Sequence, residues 1–346
     1  MLRTFLTEHR IGREPGEPST VVALLLGAAA CAHLAGFSVG SASPIPAVPD
    51  LVAIALRSGG EWEIPNSFVP QGDWRTTWTD EEHAAAVEDV RSAIGRGDVY
   101  QANVVGHRCA GHDADPAGLA WAAASIPSRY GAVIAGEGWA VGSASPEQLV
   151  RVEGARITTV PIKGTLPVAS GSADDLRASV KDRAEHVMIV DLERNDLSRL
   201  AAGSSVAVES LYEVGPWAGL WHASSTVSAT LRPDLDLVDV LIALAPGGSV
   251  TGAPKRAAWE LLAGLEPVGR GPAMGALGLL WPGGMDLGLT IRTVAADAGS
   301  VHLWAGGGIT WSSDPAAEVR EAHAKAEPVI AALAANPPEP TNSFRP

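Results

Sequence analysis

The stretch EQLVRVEGARITTVPIKGT, residues 147–165, decides the fold. It holds two strand-like runs, EQLVRVEG and RITTVPIK, joined by the turn EGAR, so the chain folds back on itself as an antiparallel hairpin. In the second run Thr158, Val160 and Ile162 alternate with Thr159, Pro161 and Lys163, the pattern of a half-buried strand. Lys163 is one of few cations in an acidic chain and stands at the end of that strand. Read alone, it is a solvated strand end.

Outward from the hairpin, strands and helices intersperse. VYQANVV (99–105), WAVGSA (139–144), GALGLLW (275–281), LGLTIRTVAA (287–296) and VHLWAGGGIT (301–310) read as strands. WTDEEHAAAVEDVRSAIGRGD (78–98) reads as a helix. Thr79 and Glu82 have capping-box spacing, Val87, Val90 and Ile94 line one face, and Gly95 or Gly97 ends it. DDLRASVKDRAEHVMIV (174–190) reads as one helix with Leu176, Val180 and Val187 on one side. LDLVDVLIALA (235–245) and APKRAAWELLAGL (253–265) are helical too. DPAAEVREAHAKA (314–326) has Asp314 as N-cap and Pro315 at the first helical position, with Pro328 expected to kink or end it. This order predicts an α+β fold with antiparallel sheets rather than a doubly wound one.

The 346 residues suffice for one large domain or two ordinary ones, and 46% are hydrophobic. The net charge of -14 argues against nucleic acid, which needs a basic face. It also means that an anionic substrate requires local cations or a metal. The two cysteines, Cys31 and Cys109, form no zinc or disulfide pattern, which fits a reducing, cytoplasmic compartment. Between Thr20 and Pro49 there is no charged side chain. Glu8, Glu14 and Glu17 mixed with Arg3, Arg10 and Arg13 do not make a basic leader, so this run is expected to be buried in a soluble protein rather than to enter a membrane. PNSFVPQGD (65–73) reads as a linker and residues 336–346 as a disordered tail.

Asp182 and Glu185 share a helical face, as do Glu318 and Glu321. Such pairs are ordinarily solvated. Converging, they could hold Mg²⁺, which takes oxygen ligands and keeps several waters. APGGSVTGAPK (245–255), with Thr251, is a Gly-rich loop feeding a helix, either an anion site or a structural turn. Gly306, Gly307 and Gly308 either admit a ligand to the backbone or make a bulge. Arg292, in an apolar strand, could clamp a carboxylate. His222 alone is a core histidine, and Glu147 alone a turn carboxylate.

The order and wording of GDVYQANV, SASPEQLV, VPIKGT, AEHVMIVDLERNDLSRL, WHASSTV, PGGSVTGAPK, MDLGLTIRT and WAGGGIT…SDPAAEVREA resemble the chorismate-utilising enzymes, the family of anthranilate and aminodeoxychorismate synthase components I and the isochorismate and salicylate synthases. The resemblance runs from about residue 76 to 335. It implies an α+β sandwich of two antiparallel sheets flanked by helices, with Mg²⁺ and chorismate in a cleft. Residues 1–75 would be a shortened N-terminal portion and 76–335 the catalytic core. By motif, Glu185 and Glu321 look like direct Mg²⁺ ligands and Asp182 and Glu318 like the pair that orders metal-bound water. Arg292 and the Gly306–Gly308 amides look like carboxylate holders, Thr251 like a substrate contact, and His222 like a member of the catalytic set. Glu147 looks like the general acid for the departing C4 hydroxyl.

Two positions separate the members. The water-using enzymes carry a lysine base where this chain has Gln101, which cannot take a proton from water and suits ammonia. Anthranilate synthases typically carry alanine in the PIKGT motif, whereas aminodeoxychorismate synthases carry lysine. Lys163 therefore resembles the covalent nucleophile of the latter, which must be neutral to attack. No Cys/His glutaminase signature is present, so the resemblance implies a separate glutamine amidotransferase subunit. The alternatives are an anthranilate synthase-like enzyme and a non-catalytic chorismate-binding subunit. Departures are the short N-terminal portion without the family's tryptophan-binding serine motif, PIKGTLPVA in place of PIKGTRPR, and Ala273–Met274 where a Tyr-Cys or Tyr-Ser pair is common.

Overall fold

The computed structural model describes residues 1–14, 20–56, 74–217 and 219–335. The linker and tail read at 65–73 and 336–346 lie outside them. Among the described residues the strands form two sheets, paired antiparallel throughout.

The larger sheet runs in the order Ala207–Trp217, Leu220–Thr230, Arg156–Val160, Gln148–Glu153, Gly284–Leu289, Ala276–Trp281, Val21–Leu26 and Leu51–Leu56, with Ile162–Pro167 also on Leu220–Thr230. The hairpin at Glu153–Arg156 forms in the expected register, Val152 opposite Ile157. The uncharged N-terminal run is the strand Val21–Leu26, inserted between Ala276–Trp281 and Leu51–Leu56, and the helix Ala28–Ala35. Leu24, Leu25 and Leu26 are fully buried. Truncating any one of them to alanine is worth about 2–5 kcal/mol, which explains why this stretch carries no charge. No helix among the described residues is long and apolar enough to cross a membrane.

The smaller sheet runs Gly252–Ala253, Gln101–Gly111, Ser300–Ile309, Thr293–Asp297, Trp139–Ser145 and Tyr130–Gly136, with Arg75–Thr76 also on Gln101–Gly111. Pro116–Ala124 packs on Trp139–Ser145, and Pro315–Ala334 on Ser300–Ile309. Two of the passages between the sheets are only two and three residues long, at Pro146–Glu147 and at Thr290–Arg292. The two crossings are tied together: Leu289 N–H donates to the Glu147 carbonyl at 3.0 Å, and Ala144 N–H to the Arg292 carbonyl at 3.1 Å.

Two expectations need correction and a third is narrowed. The helix read at 174–190 is two helices, Ala173–Ala178 and Val180–Ser198, with Ser179 closing one and capping the next. Only Leu176 of its expected apolar face is buried; Val180 and Val187 are 82% and 44% exposed. The break lets the second helix turn a different face to the sheet, through Ile189, Val190 and Leu197. Of the two outcomes expected at Pro328, ending is ruled out, since the helix runs to Ala334. Val329 and Leu333 beyond it stay buried, so packing outweighs the one hydrogen bond a proline removes. Arg292 is not inside a strand but in the crossing before Thr293–Asp297, with φ +50.

Candidate active site

Residues from both crossings and both sheets meet at the seam. Glu147, at the first crossing, is 6% exposed. Burial pushes its carboxyl above the ordinary range, while Lys163, the Ser249 hydroxyl and the Ile162 backbone pull it back. Lys163 is partly buried, and its Nζ stands 3.5 Å from the Ser249 carbonyl. Burial lowers its pKa, Glu147 raises it, Lys325 lowers it, and Glu185 and Glu321 raise it. The amine thus lies among three carboxylates without being locked into a close ion pair, as a neutralisable lysine requires.

Gln101 opens the strand Gln101–Gly111 and is fully buried, with both amide atoms lacking a hydrogen-bond partner. Buried unpaired amides are costly, so this one marks space for a polar ligand. The space exists because residue 308 is glycine: a Cβ there would lie 2.0 Å from Gln101 Nε2. Gly306, Gly307 and Gly308 are within the strand Ser300–Ile309, opposite Val105, Val104 and Asn103.

Arg292 is partly buried, and desolvation lowers its pKa. His222 lies within its field, and burial followed by that guanidinium pushes the imidazole down to about 4. His222 Nδ1 is 3.1 Å from Thr165 Oγ1, and Nε2 is buried without a partner. A neutral imidazole and an unpaired guanidinium together suit an incoming carboxylate. Thr251 is fully buried, its hydroxyl donating to the Gly247 carbonyl at 2.8 Å.

The glycine loop is held from below. Lys255 Nζ pairs with Asp196 Oδ2 at 2.7 Å and donates to the Leu244 carbonyl at 3.1 Å. Arg270, paired with Glu266, donates to the Val250 carbonyl at 2.9 Å and the Asn103 carbonyl at 2.7 Å. The lysine of the loop motif is therefore a structural tie, not an anion contact. Ala273 and Met274 are buried in the core.

The acidic pairs lie on Val180–Ser198 and Pro315–Ala334. Burial raises Glu185 and Glu318; Asp182 and Glu318 add to the rise at Glu185, and Glu321 to that at Glu318. Burial would also raise Glu321, but Lys325 at 2.6 Å holds it below the usual range. Lys181 is 4.0 Å from Glu185, and Asp182 takes the Ser179 hydroxyl. Among the described residues no three acidic, His or Cys side chains are near enough to share one ion. The donor set itself, carboxylates whose ionisation burial and mutual repulsion oppose, fits a hard divalent cation.

Sequence reasoning missed Ser249, Arg270, Asp196 and Lys325. Ser249 acts through its carbonyl as well as its hydroxyl, which no motif spells out. Lys325 was legible: it follows Glu321 by four residues, the spacing of a helical ion pair.

The fold and this seam belong to a known class. The chorismate binding enzyme family matches residues 55–331, and the chain belongs to that family. It is 36% identical to aminodeoxychorismate synthase component 1 of Escherichia coli over 79% of this chain and 63% of that protein. It is 39% identical to anthranilate synthase component 1 of Streptomyces coelicolor over 75% of this chain and 53% of that protein. The structure of anthranilate synthase component I from Streptococcus pneumoniae superposes with a TM-score of 0.82 at 25% identity, covering 94% of this chain and 85% of that one. The chain spans about three-fifths of the length of the curated aminodeoxychorismate synthases it matches.

Proposed function

We propose that this protein aminates chorismate at C4, forming 4-amino-4-deoxychorismate, as an aminodeoxychorismate synthase component 1. Identity does not separate this reading from anthranilate synthase, since relatives of both kinds are about equally similar. The observation that carries it is Lys163: an amine with a lowered pKa, partly buried beside a carboxyl with a raised one.

In this reading Lys163 attacks C2 of chorismate as Glu147 protonates the C4 hydroxyl, which leaves as water with an allylic shift. Ammonia then adds at C4 and expels the lysine from C2, restoring the free amine. Both pKa shifts favour the neutral pair, a free amine and a protonated acid, that the first step consumes. Arg292, His222 Nε2 and the Gly306–Gly308 backbone orient the substrate carboxylates, and Thr251 borders the ring. Gln101 offers an amide to the incoming ammonia and no base to water. Glu185 and Glu321, with Asp182 and Glu318 ordering water, would hold Mg²⁺, whose charge neutralises substrate carboxylate. Ammonia comes from a separate glutamine amidotransferase subunit, as the name "component 1" of the relatives supports.

The test is incubation of the purified protein with chorismate, Mg²⁺ and ammonium salts, with product identification. 4-Amino-4-deoxychorismate is expected, with ammonium accepted and glutamine not. Dominant anthranilate would replace this reading with the anthranilate synthase one, and binding without turnover would make the chain a chorismate-binding subunit.

A further inference from the structure

Inside the acidic cluster stands a cation. Lys325 follows Glu321 by one helical turn and Glu318 by two on Pro315–Ala334, so the three share a face. Its Nζ is 2.6 Å from Glu321 Oε1 and donates to the Gly306 carbonyl at 3.0 Å. A side chain built on Gly307 would meet Glu318 Oε2 at 3.1 Å and both Glu321 Oε1 and Lys325 Nζ at 3.6 Å. The two carboxylates and the ammonium therefore crowd one point above the glycine strand. The Gly306 carbonyl belongs to a sheet strand and is fixed, whereas the Lys325–Glu321 pair is half-exposed, at 46% and 49%, and so is weak enough to exchange.

We infer that Lys325 is an internal counter-ion of Glu318 and Glu321 that stands in for a divalent cation and surrenders Glu321 when the cation binds. The inference rests on the metal reading proposed above. A divalent ion must approach a carboxylate oxygen to about 2.0–2.1 Å, and an ammonium bonded to that same oxygen repels it. The two cations therefore compete for one group, and each lowers the other's affinity by linkage. The lysine spares the empty cluster its self-repulsion and makes the metal bind less tightly than the carboxylates alone would allow.

The experiment is a Mn²⁺ titration of metal-stripped protein without substrate, free Mn²⁺ being read by electron paramagnetic resonance. Wild type, Lys325→Met and Lys325→Arg are compared. Lys325→Met is expected to bind Mn²⁺ about tenfold more tightly than wild type, and Lys325→Arg no more tightly. In EDTA, Lys325→Met should melt below wild type, and Mn²⁺ should close the gap. Should Lys325→Met not fold, Lys325→Gln is read in the same way. Saturable binding to wild type with equal or weaker binding to the neutral variant overturns this inference alone. No saturable binding by any of the proteins overturns it together with the metal reading.

Discussion

Lys163 and Glu147 share one neighbour: Lys163 Nζ stands 3.5 Å from the Ser249 carbonyl, and the Ser249 side chain is among the groups that hold down the pKa of the Glu147 carboxyl. Ser249 lies in the four-residue helix Gly248–Thr251, beneath which Lys255 and Arg270 are bonded to backbone carbonyls. The glycine loop thus borders both the amine and the acid, and the lysine comes from Ile162–Pro167, a strand that follows the opening hairpin and pairs with Leu220–Thr230.

Lys163→Ala should cut C4 amination by a factor on the order of 10³ or more, acting on kcat rather than KM. Lys163→Arg should be nearly as damaging, because a guanidinium stays protonated. Intact mass of wild type given chorismate without ammonia should show an adduct on the Lys163 peptide. Wild-type kcat in Lys163→Ala would mean that the lysine is not the nucleophile.

Glu147→Gln removes the carboxylate that raises the Lys163 pKa, so that pKa should fall further. ¹³C-methylated lysine, with the Lys163 signal assigned by its loss in Lys163→Ala, reads it directly by NMR titration. The same variant should lose about 10²–10⁴-fold in rate, since the hydroxyl no longer has its acid. An upward shift would contradict the placement of Glu147 beside the amine.

Gly308→Ala places a methyl on Gln101 Nε2, and the sheet backbone cannot move away. Overpacking of this kind costs about 1–3 kcal/mol. Adding Gln101→Ala should recover most of the lost melting temperature, a coupling measurable in a double-mutant cycle. Additive losses would mean that the two side chains do not share the space.

Glu185→Gln should abolish Mn²⁺ binding. In EDTA it should melt at or above the wild-type temperature, because it removes a buried carboxylate from the field of Asp182 and Glu318. A large loss of stability in EDTA would instead make Glu185 a structural residue.

His83, His107, His186 and His222 are each buried, and burial lowers each to about 4 from 6.5. Folded-state values are depressed, so the unfolded chain binds more protons between about pH 6.5 and 4. Stability should be fully present above 6.5 and fall as pH drops towards 4. Melting scans across this range should show uptake of up to about four protons on unfolding. A flat profile would mean that these histidines are charged in the native state.

The local chemistry of the chain was legible from its residues. The Thr79–Glu82 capping box, the Asp314 cap, the EGAR hairpin and the antiparallel α+β class follow from spacings a few residues long, where backbone geometry alone decides. The uncharged N-terminal run announced burial because a charge there would lack water, while its strand and helix came only with the fold. The motif order named the family, and spacing put Asp182 with Glu185 and Glu318 with Glu321. Tertiary structure alone decided the rest. Arg292 reads as a strand residue, yet lies at a crossing between sheets with a positive φ, its carbonyl accepting from Ala144 on another strand. Val180 and Val187 read as core but face out, since the break at Ser179 rotates the helix. Lys255 ends a loop that reads as either an anion site or a structural turn, and it is spent on carbonyls and Asp196. The meeting of Lys163 with Glu147, and of the Glu321–Lys325 pair with the strand at Gly306 and Gly307, depends on groups brought from distant parts of the chain. Periodicity carries neither, because a pKa belongs to a place in the fold and not to a position in the sequence.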